Sequence, residues 1–333
     1  MNWFRKNYKI ISFLILIWLI PEIYLYPVFL LVIKPTGKEE INEILIQVNK
    51  TNNTFEKLKM IAEWEVEDFT NVYNNNPDFT LDPFFRYPVY FDGGVKVRAS
   101  SPLIPELSNN PYWIAFFKVG ACGELASLFS EVSKRAGIET RIVGTKGEDH
   151  SWVEIKLNDK WIHVDPTLYY INYQYHQSLK WIDNPRFHDL RWFNISKVVV
   201  ENTNEDITRK YTDVGILRIY LDKPANRIIV KTVKDEKERE VTIVEANSLI
   251  IDIELGGKRY NIIAEKDLIP YLVVLHDNKE VEVVEGKQTT IKLSPTKLEF
   301  TLLFCYFSIL LLTEIIVILC FRKLSTKQLA RKK

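Results

Sequence analysis

Residues 149–167 read DHSWVEIKLNDKWIHVDPT. Apolar and polar residues alternate on both sides of Asn158-Asp159, a turn-forming pair, so the stretch reads as a β-hairpin. With a two-residue turn, His150 lies diagonal to Asp165 on one face; a four-residue loop would set them directly opposite. Cross-strand neighbours of either kind are roughly 5–8 Å apart, which an imidazole and a carboxylate can bridge. Trp152, Trp161 and His163 share that face. Val153, Ile155, Ile162 and Val164 take the other and are expected to pack on the core. A three-residue loop would flip one strand and separate the pair.

Upstream, residues 119–129 read VGACGELASLF. A helix is expected over 122–136, with Leu125, Leu128, Phe129, Val132 and Ala136 on one face. Gly137, just after Lys134 and Arg135, stands where a helix C′ residue belongs. Cys122 would then open the helix. It is the only cysteine in the polar middle of the chain; Cys305 and Cys320 lie in an apolar run.

Further upstream, 38–76 shows helical spacing that the NNNPD stretch at 74–78 ends. Residues 79–118 are rich in proline and aromatics and read as loops with short elements. Residues 169–193 are dense in aromatics and wall a cleft or cover the core. From Thr212 onward, seven short strand-like runs predict a small β-sandwich, Ig-like or prealbumin-like. The fold class expected is α+β.

Two apolar runs flank all this. Ile10–Ile33 carries one charge, Glu22, and Phe300–Phe321 carries one, Glu314. Each is long enough to span a bilayer core, which needs roughly 20 residues. Basic residues lie outside both: Arg5, Lys6 and Lys9 before the first, RKLSTKQLARKK after the second. Basic flanks mark the cytoplasmic side. The expected plan is a cytoplasmic stub at 1–9, a span at 10–33, a catalytic domain with N-terminal helices at 34–211, a sandwich at 212–297, a span at 300–321 and a basic tail at 322–333. Both termini would be cytoplasmic and 34–297 would face outward from the cell membrane. With 44 basic and 43 acidic side chains, overall charge argues against a nucleic-acid partner. No ligand spacing or cofactor motif is found, so neither metal nor cofactor is expected.

A thiol at a helix N-terminus, with a His and an Asp held together downstream, is a set with a chemical use. A free thiol ionises at about pH 8.5. A helix N-terminus and a neighbouring imidazolium both favour the thiolate. The imidazole then passes a proton to a leaving amine, and the carboxylate orients the ring. Gly120 and Gly123 are expected to let the backbone turn and a carbonyl approach. Asn110, Trp113 and Trp152 are candidate oxyanion or cleft groups, and His163 is an alternative base.

The motifs GACGELASLFSEVSKRAGIETRIVG, DHSWVEI and KWIHVDPT, over about 110–168, resemble the transglutaminase-like superfamily of papain-type folds. The GxCGE-A and DH-x-W-x-E patterns are most similar to the peptide:N-glycanase branch. The resemblance implies Cys122 as nucleophile, His150 as acid/base and Asp165 as orienter. Gly123 follows Cys122 where crosslinking transglutaminases have Trp, and no CxxC pair stands for the zinc of cytoplasmic peptide:N-glycanases. What it implies is thiolate attack on an amide or related acyl group of a protein, peptide or glycopeptide. The alternative is a surface binding or scaffold protein of the same fold without turnover.

Overall fold

In the computed structural model, residues 27–71, 78–81, 88–91, 95–97, 110–148, 150–167, 195–234, 237–269 and 273–300 are described. Among them, residues up to Thr145, 150–167 and Val198–Tyr211 form one compact unit. Lys146–Glu148, 195–197 and the chain from Thr212 form a second.

The first unit begins with a π-helical turn, Phe29–Ile33, that runs into α1 (Lys34–Val48). Asn53 then starts α2 (Thr54–Asp68): its side-chain oxygen accepts the N–H groups of Phe55 and Glu56, two donors the first turn cannot satisfy internally. The spacing over 38–76 predicts helix up to residue 76, but the helix stops at Asp68. Phe69 turns extended and is buried, and β1 (Thr70–Asn71) pairs in parallel with a later strand. Three short strands follow, β2 (Asp78–Leu81), β3 (Pro88–Phe91) and β4 (Val95–Val97), joined as an antiparallel sheet.

The helix α3 (Pro111–Phe117) is capped by Asn110 and ends on Lys118, which is left-handed at φ 52°. Lys118 pairs with Glu40 of α1 at 2.9 Å and Asp68 of α2 at 3.4 Å. The strand β5 (Val119–Gly120), the partner of β1, leads directly into α4 (Cys122–Arg135). Leu125, Leu128, Phe129 and Val132 are buried on one face of α4. Fully burying such side chains contributes roughly 1.5–3 kcal/mol each. At its end Gly137 takes φ +84°, with Gly137 N–H on Lys134 O and Ile138 N–H on Ser133 O. This paired C-cap needs a left-handed residue, which glycine adopts without steric cost.

Behind α4 lies a four-stranded sheet in the order β8-β7-β6-β9: β6 (Thr140–Lys146), β7 (Ser151–Leu157), β8 (Lys160–Val164) and β9 (Lys197–Val200). Asn158 and Asp159 have φ of 49° and 61°, the conformation of a two-residue hairpin turn. Val153 is paired with Val164 and Leu157 with Lys160, the register read from the sequence. Val153, Ile155 and Val164 join α1, α2 and α4 in one core, with Ile162 packed against it. The turn of helix α5 (Thr208–Tyr211) closes the unit.

The second unit is two facing sheets. One has the order β13-β10-β16, from β10 (Val214–Leu221), β13 (Ile250–Gly256) and β16 (Gln288–Leu293). The other has the order β12-β11-β14-β15-β17, from β11 (Arg227–Lys234), β12 (Lys237–Glu245), β14 (Arg259–Ile269), β15 (Val273–Glu282) and β17 (Lys297–Phe300). Alternation fills the space between them: Leu217, Ile219 and Leu221 point in, and so do Ile228, Val230 and Ile262. Glycine is required at 256, where a Cβ would lie 1.9 Å from Ile195 O.

Of the expected spans, 10–33 is described only from residue 27 and 300–321 only at Phe300, which ends β17. Among the described residues no helix is long and apolar enough to cross a membrane. The aromatic stretch 169–193 lies outside the described residues.

Candidate active site

Cys122 is the first helical residue of α4, one position after the buried strand end at Gly120 and Ala121. Glu124 is buried. Its Oε2 accepts the Ala121 N–H at 3.0 Å, which closes the helix start and fixes the backbone that carries the thiol. The sharp turn expected at the two glycines is not what the backbone shows. Neither has a left-handed backbone. A Cβ on Gly120 would meet Glu124 Cβ at 3.1 Å and Leu125 Cδ2 at 3.2 Å, so Gly120 permits tight packing under the first turn. At Gly123 the nearest atom to a Cβ is Ser151 Oγ at 4.0 Å, which leaves room beside the thiol.

His150 sits just before β7. Thr145 holds its carbonyl from two sides, N–H at 3.0 Å and Oγ1 at 3.2 Å. Asp165 follows β8 and is 1% exposed. His150 Nε2 and Asp165 Oδ2 are 2.7 Å apart, so the diagonal hairpin pair meets directly. The Cys122 side chain hydrogen-bonds to the same imidazole. With Nε2 on Asp165, Nδ1 is the nitrogen left for the sulfur. Burial works against a charged ring, but the charge and hydrogen bond of Asp165, joined by Cys122, outweigh it, and the His150 pKa is pushed up to about 10. At neutral pH the ring is therefore an imidazolium held by Asp165 and Cys122.

The other candidates have other partners. Trp152 is no cleft donor: it is fully buried, and its N–H donates inward to Tyr211 Oη at 3.0 Å. Asn110 spends its oxygen on the α3 cap, accepting Tyr112 N–H at 3.0 Å. Trp113 is buried against Phe117, ring centroids 4.7 Å apart. His163 is buried, and burial lowers its pKa to about 4, so it stays neutral across the working range. It packs on Trp152 and Tyr211. His276 lies in the second unit, 2.9 Å from Glu299. Among the described residues no His, Cys, Asp and Glu group has metal-binding geometry.

Sequence reasoning passed over Glu154, Arg141 and Tyr211. Glu154 continues the period-two row of His150 and Trp152, so its place on that face was readable. Tyr211 lies on α5, 57 positions from Glu154, with no local signal.

A model of the Transglutaminase-like superfamily matches residues 90–166. A peptide-N(4)-(N-acetyl-beta-glucosaminyl)asparagine amidase of Eremothecium gossypii is 29% identical over 108 residues, covering 31% of this chain and 27% of the relative. Its namesake in Saccharomyces cerevisiae is 33% identical, covering 22% of this chain and 20% of the relative. That of Caenorhabditis briggsae is 40% identical, covering 17% and 10%. The chain thus spans about a quarter or less of the length of these relatives. A structure titled as the crystal structure of a TGase overlaps 44% of this chain and 35% of its own, at 13% identity and TM-score 0.29. Over residues 90–166, which hold the helix start and the hairpin just described, this chain is similar to the transglutaminase-like superfamily.

Proposed function

We propose that this chain is a thiol enzyme that cleaves or transfers an amide bond, with Cys122 as nucleophile, His150 as acid and base, and Asp165 as orienter. The observation that carries the reading is one imidazole hydrogen-bonded to the Cys122 side chain and 2.7 Å from a buried carboxylate. Cys122 Sγ adds to the amide carbonyl carbon, and the carbonyl π electrons move to oxygen. The Cys122 N–H, at the head of α4, is the donor placed to meet that oxyanion. Collapse breaks the C–N bond, and His150 gives its Nδ1 proton to the leaving amine. A thioester remains. Water or a second amine then adds to it while His150 takes back a proton. The acid or the new amide leaves, and the thiol is restored. Asp165 keeps the ring oriented throughout and stabilises it whenever it carries both protons.

The likeness to amidases whose name specifies a glycosylated asparagine supports a glycopeptide, or a peptide amide, as substrate. The apolar runs 10–33 and 300–321 with their basic flanks support a two-pass membrane protein with 34–297 outside. The second reading, a surface binding protein without turnover, is favoured by one feature: Cys122 is only 5% exposed.

The test is to incubate the full-length protein with an asparagine-linked glycopeptide, and with a glutaminyl peptide plus a primary amine. Products should form with the wild type on at least one substrate and fall by at least about 10³-fold in Cys122→Ala. Equal outcomes for the two proteins on both substrates, with iodoacetamide labelling of Cys122 no faster than in His150→Ala, would refute enzyme chemistry and leave the binding protein.

A further inference from the structure

Beneath His150 lies a chain of buried polar groups that the proposed reaction does not use. The Trp152 ring stacks on the His150 imidazole, with centroids 5.6 Å apart and planes 30° from parallel. An indole N–H can only donate, and here it meets Tyr211 Oη at 3.0 Å. Tyr211 must then send its own proton elsewhere, and Glu154 Oε1 accepts it at 2.5 Å. Glu154 is wholly enclosed. Lys210 donates to Oε1 at 2.5 Å, and the Arg141 guanidinium reaches Oε2 with Nη2 at 2.6 Å and Nε at 2.7 Å. Burial alone would raise its pKa, but Lys210, Tyr211 and Arg141 together lower it, so Glu154 is ionised. Burial, then the Glu154 charge, push the Tyr211 hydroxyl well above its ordinary range, so it keeps its proton. Every bond in the chain therefore has one possible direction.

From this geometry we infer that Tyr211 is a positioning residue which, with Glu154, locks the Trp152 indole against His150 and so holds the imidazole between Cys122 and Asp165. The inference rests on the thiol chemistry proposed above. The indole acts in two ways. It walls one side of the ring, which limits rotation away from the sulfur. Its π face also favours imidazolium over imidazole, the form that pairs with a thiolate. Among the described residues, the charged and titratable groups around this cluster are Cys122 from α4, Arg141 from β6, Glu154 from β7, His163 from β8, Asp165 just after it, Glu205, which pairs with Arg141 at 3.0 Å, and Lys210 and Tyr211 from α5. Of these His163, 5.5 Å from Trp152 between ring centroids, stays neutral and adds no competing cation. Tyr211 lies outside the matched segment 90–166, so no motif marks it.

The test measures iodoacetamide alkylation of Cys122 in the full-length protein at pH 6, read by mass spectrometry. Tyr211→Phe removes one hydroxyl and keeps the ring. Its rate should fall roughly 3- to 10-fold, with the gap narrowing by pH 9, where a thiol ionises without help. Trp152→Phe removes the indole N–H. In that background Tyr211→Phe should cost nothing more, because the two act as one unit. A wild-type rate for Tyr211→Phe at pH 6, or two losses that multiply, overturns the inference while the thiol chemistry stands. Should Tyr211→Phe not fold, Trp152→Phe alone must show the pH-dependent loss, and an unchanged rate overturns the inference. If the wild type alkylates no faster than His150→Ala, the thiol chemistry itself fails and takes the inference with it.

Discussion

In the sandwich, charged side chains ride outward on alternate strand positions; in the first unit several carboxyl groups are folded inside. Arg218 and Asp252 face each other across β10 and β13 in open solvent, and Lys231 meets Glu238 on the outer face of β11 and β12. A buried pair, Glu148 and Lys258, is the sandwich's departure from this habit. The first unit encloses Glu65, Glu124, Glu154 and Asp165. Burial holds the Glu65 carboxyl well above the usual carboxylate range, while Glu154 and Asp165 have cationic partners. Exposed pairs gain little because water screens them. Enclosed carboxylates cost several kcal/mol each unless their partners are in place, so they impose geometry. The contrast says where this molecule invests in orientation, and it is around one imidazole.

The largest effect expected is on turnover. Asp165→Asn keeps the shape but gives His150 the wrong partner, and the rate of product formation should fall by about 10³–10⁴-fold. Turnover within tenfold of wild type would remove Asp165 from the mechanism. Next is stability: Glu154→Gln leaves Arg141 and Lys210 without a buried counter-charge and should lower unfolding free energy by about 3–5 kcal/mol in urea. A midpoint close to that of wild type would show that Glu154 is not holding the network.

A third effect is smaller and depends on pH. Folding raises the His150 pKa from 6.5 to about 10, so its stabilisation is complete below pH 6.5 and is lost as pH climbs toward 10. Folding lowers the His163 pKa from 6.5 to about 4, so its stabilisation is present above pH 6.5 and is lost as pH falls toward 4. Stability of the first unit should therefore peak near neutral pH, with limbs of roughly 3–5 kcal/mol. His150→Gln should flatten the alkaline limb and His163→Gln the acid one, followed by tryptophan fluorescence in urea. The smallest effect belongs to the sandwich: Arg218→Ala should leave the urea midpoint where it is, and a clear shift would erase the contrast between the units.

The parts of this arrangement that could be read from sequence are those fixed by short-range periodicity. The α4 face, its Gly137 cap and the 150–165 hairpin all follow from patterns within a few residues. The hairpin register is set by two residues, Asn158 and Asp159, that accept positive φ. What sequence did not reveal is set by distant partners. Phe69 leaves the helix because β5, some fifty positions away, offers β1 a pairing edge. β9 and β17 are four residues each, too short to show alternation. Trp152 could be placed on the face of His150, yet its inward N–H depends on Tyr211, 59 positions on.

The proposed chemistry turns on the protonation of one ring, and a ¹⁵N titration of the histidine side chains in the full-length protein reads it directly. His150 should carry both ring protons until the pH approaches about 10, and should lose its proton at markedly lower pH in Cys122→Ala, where one of its two partners is gone. A midpoint near 6.5 that Cys122→Ala does not move would mean that sulfur and imidazole are not paired, and the proposed chemistry would have no basis.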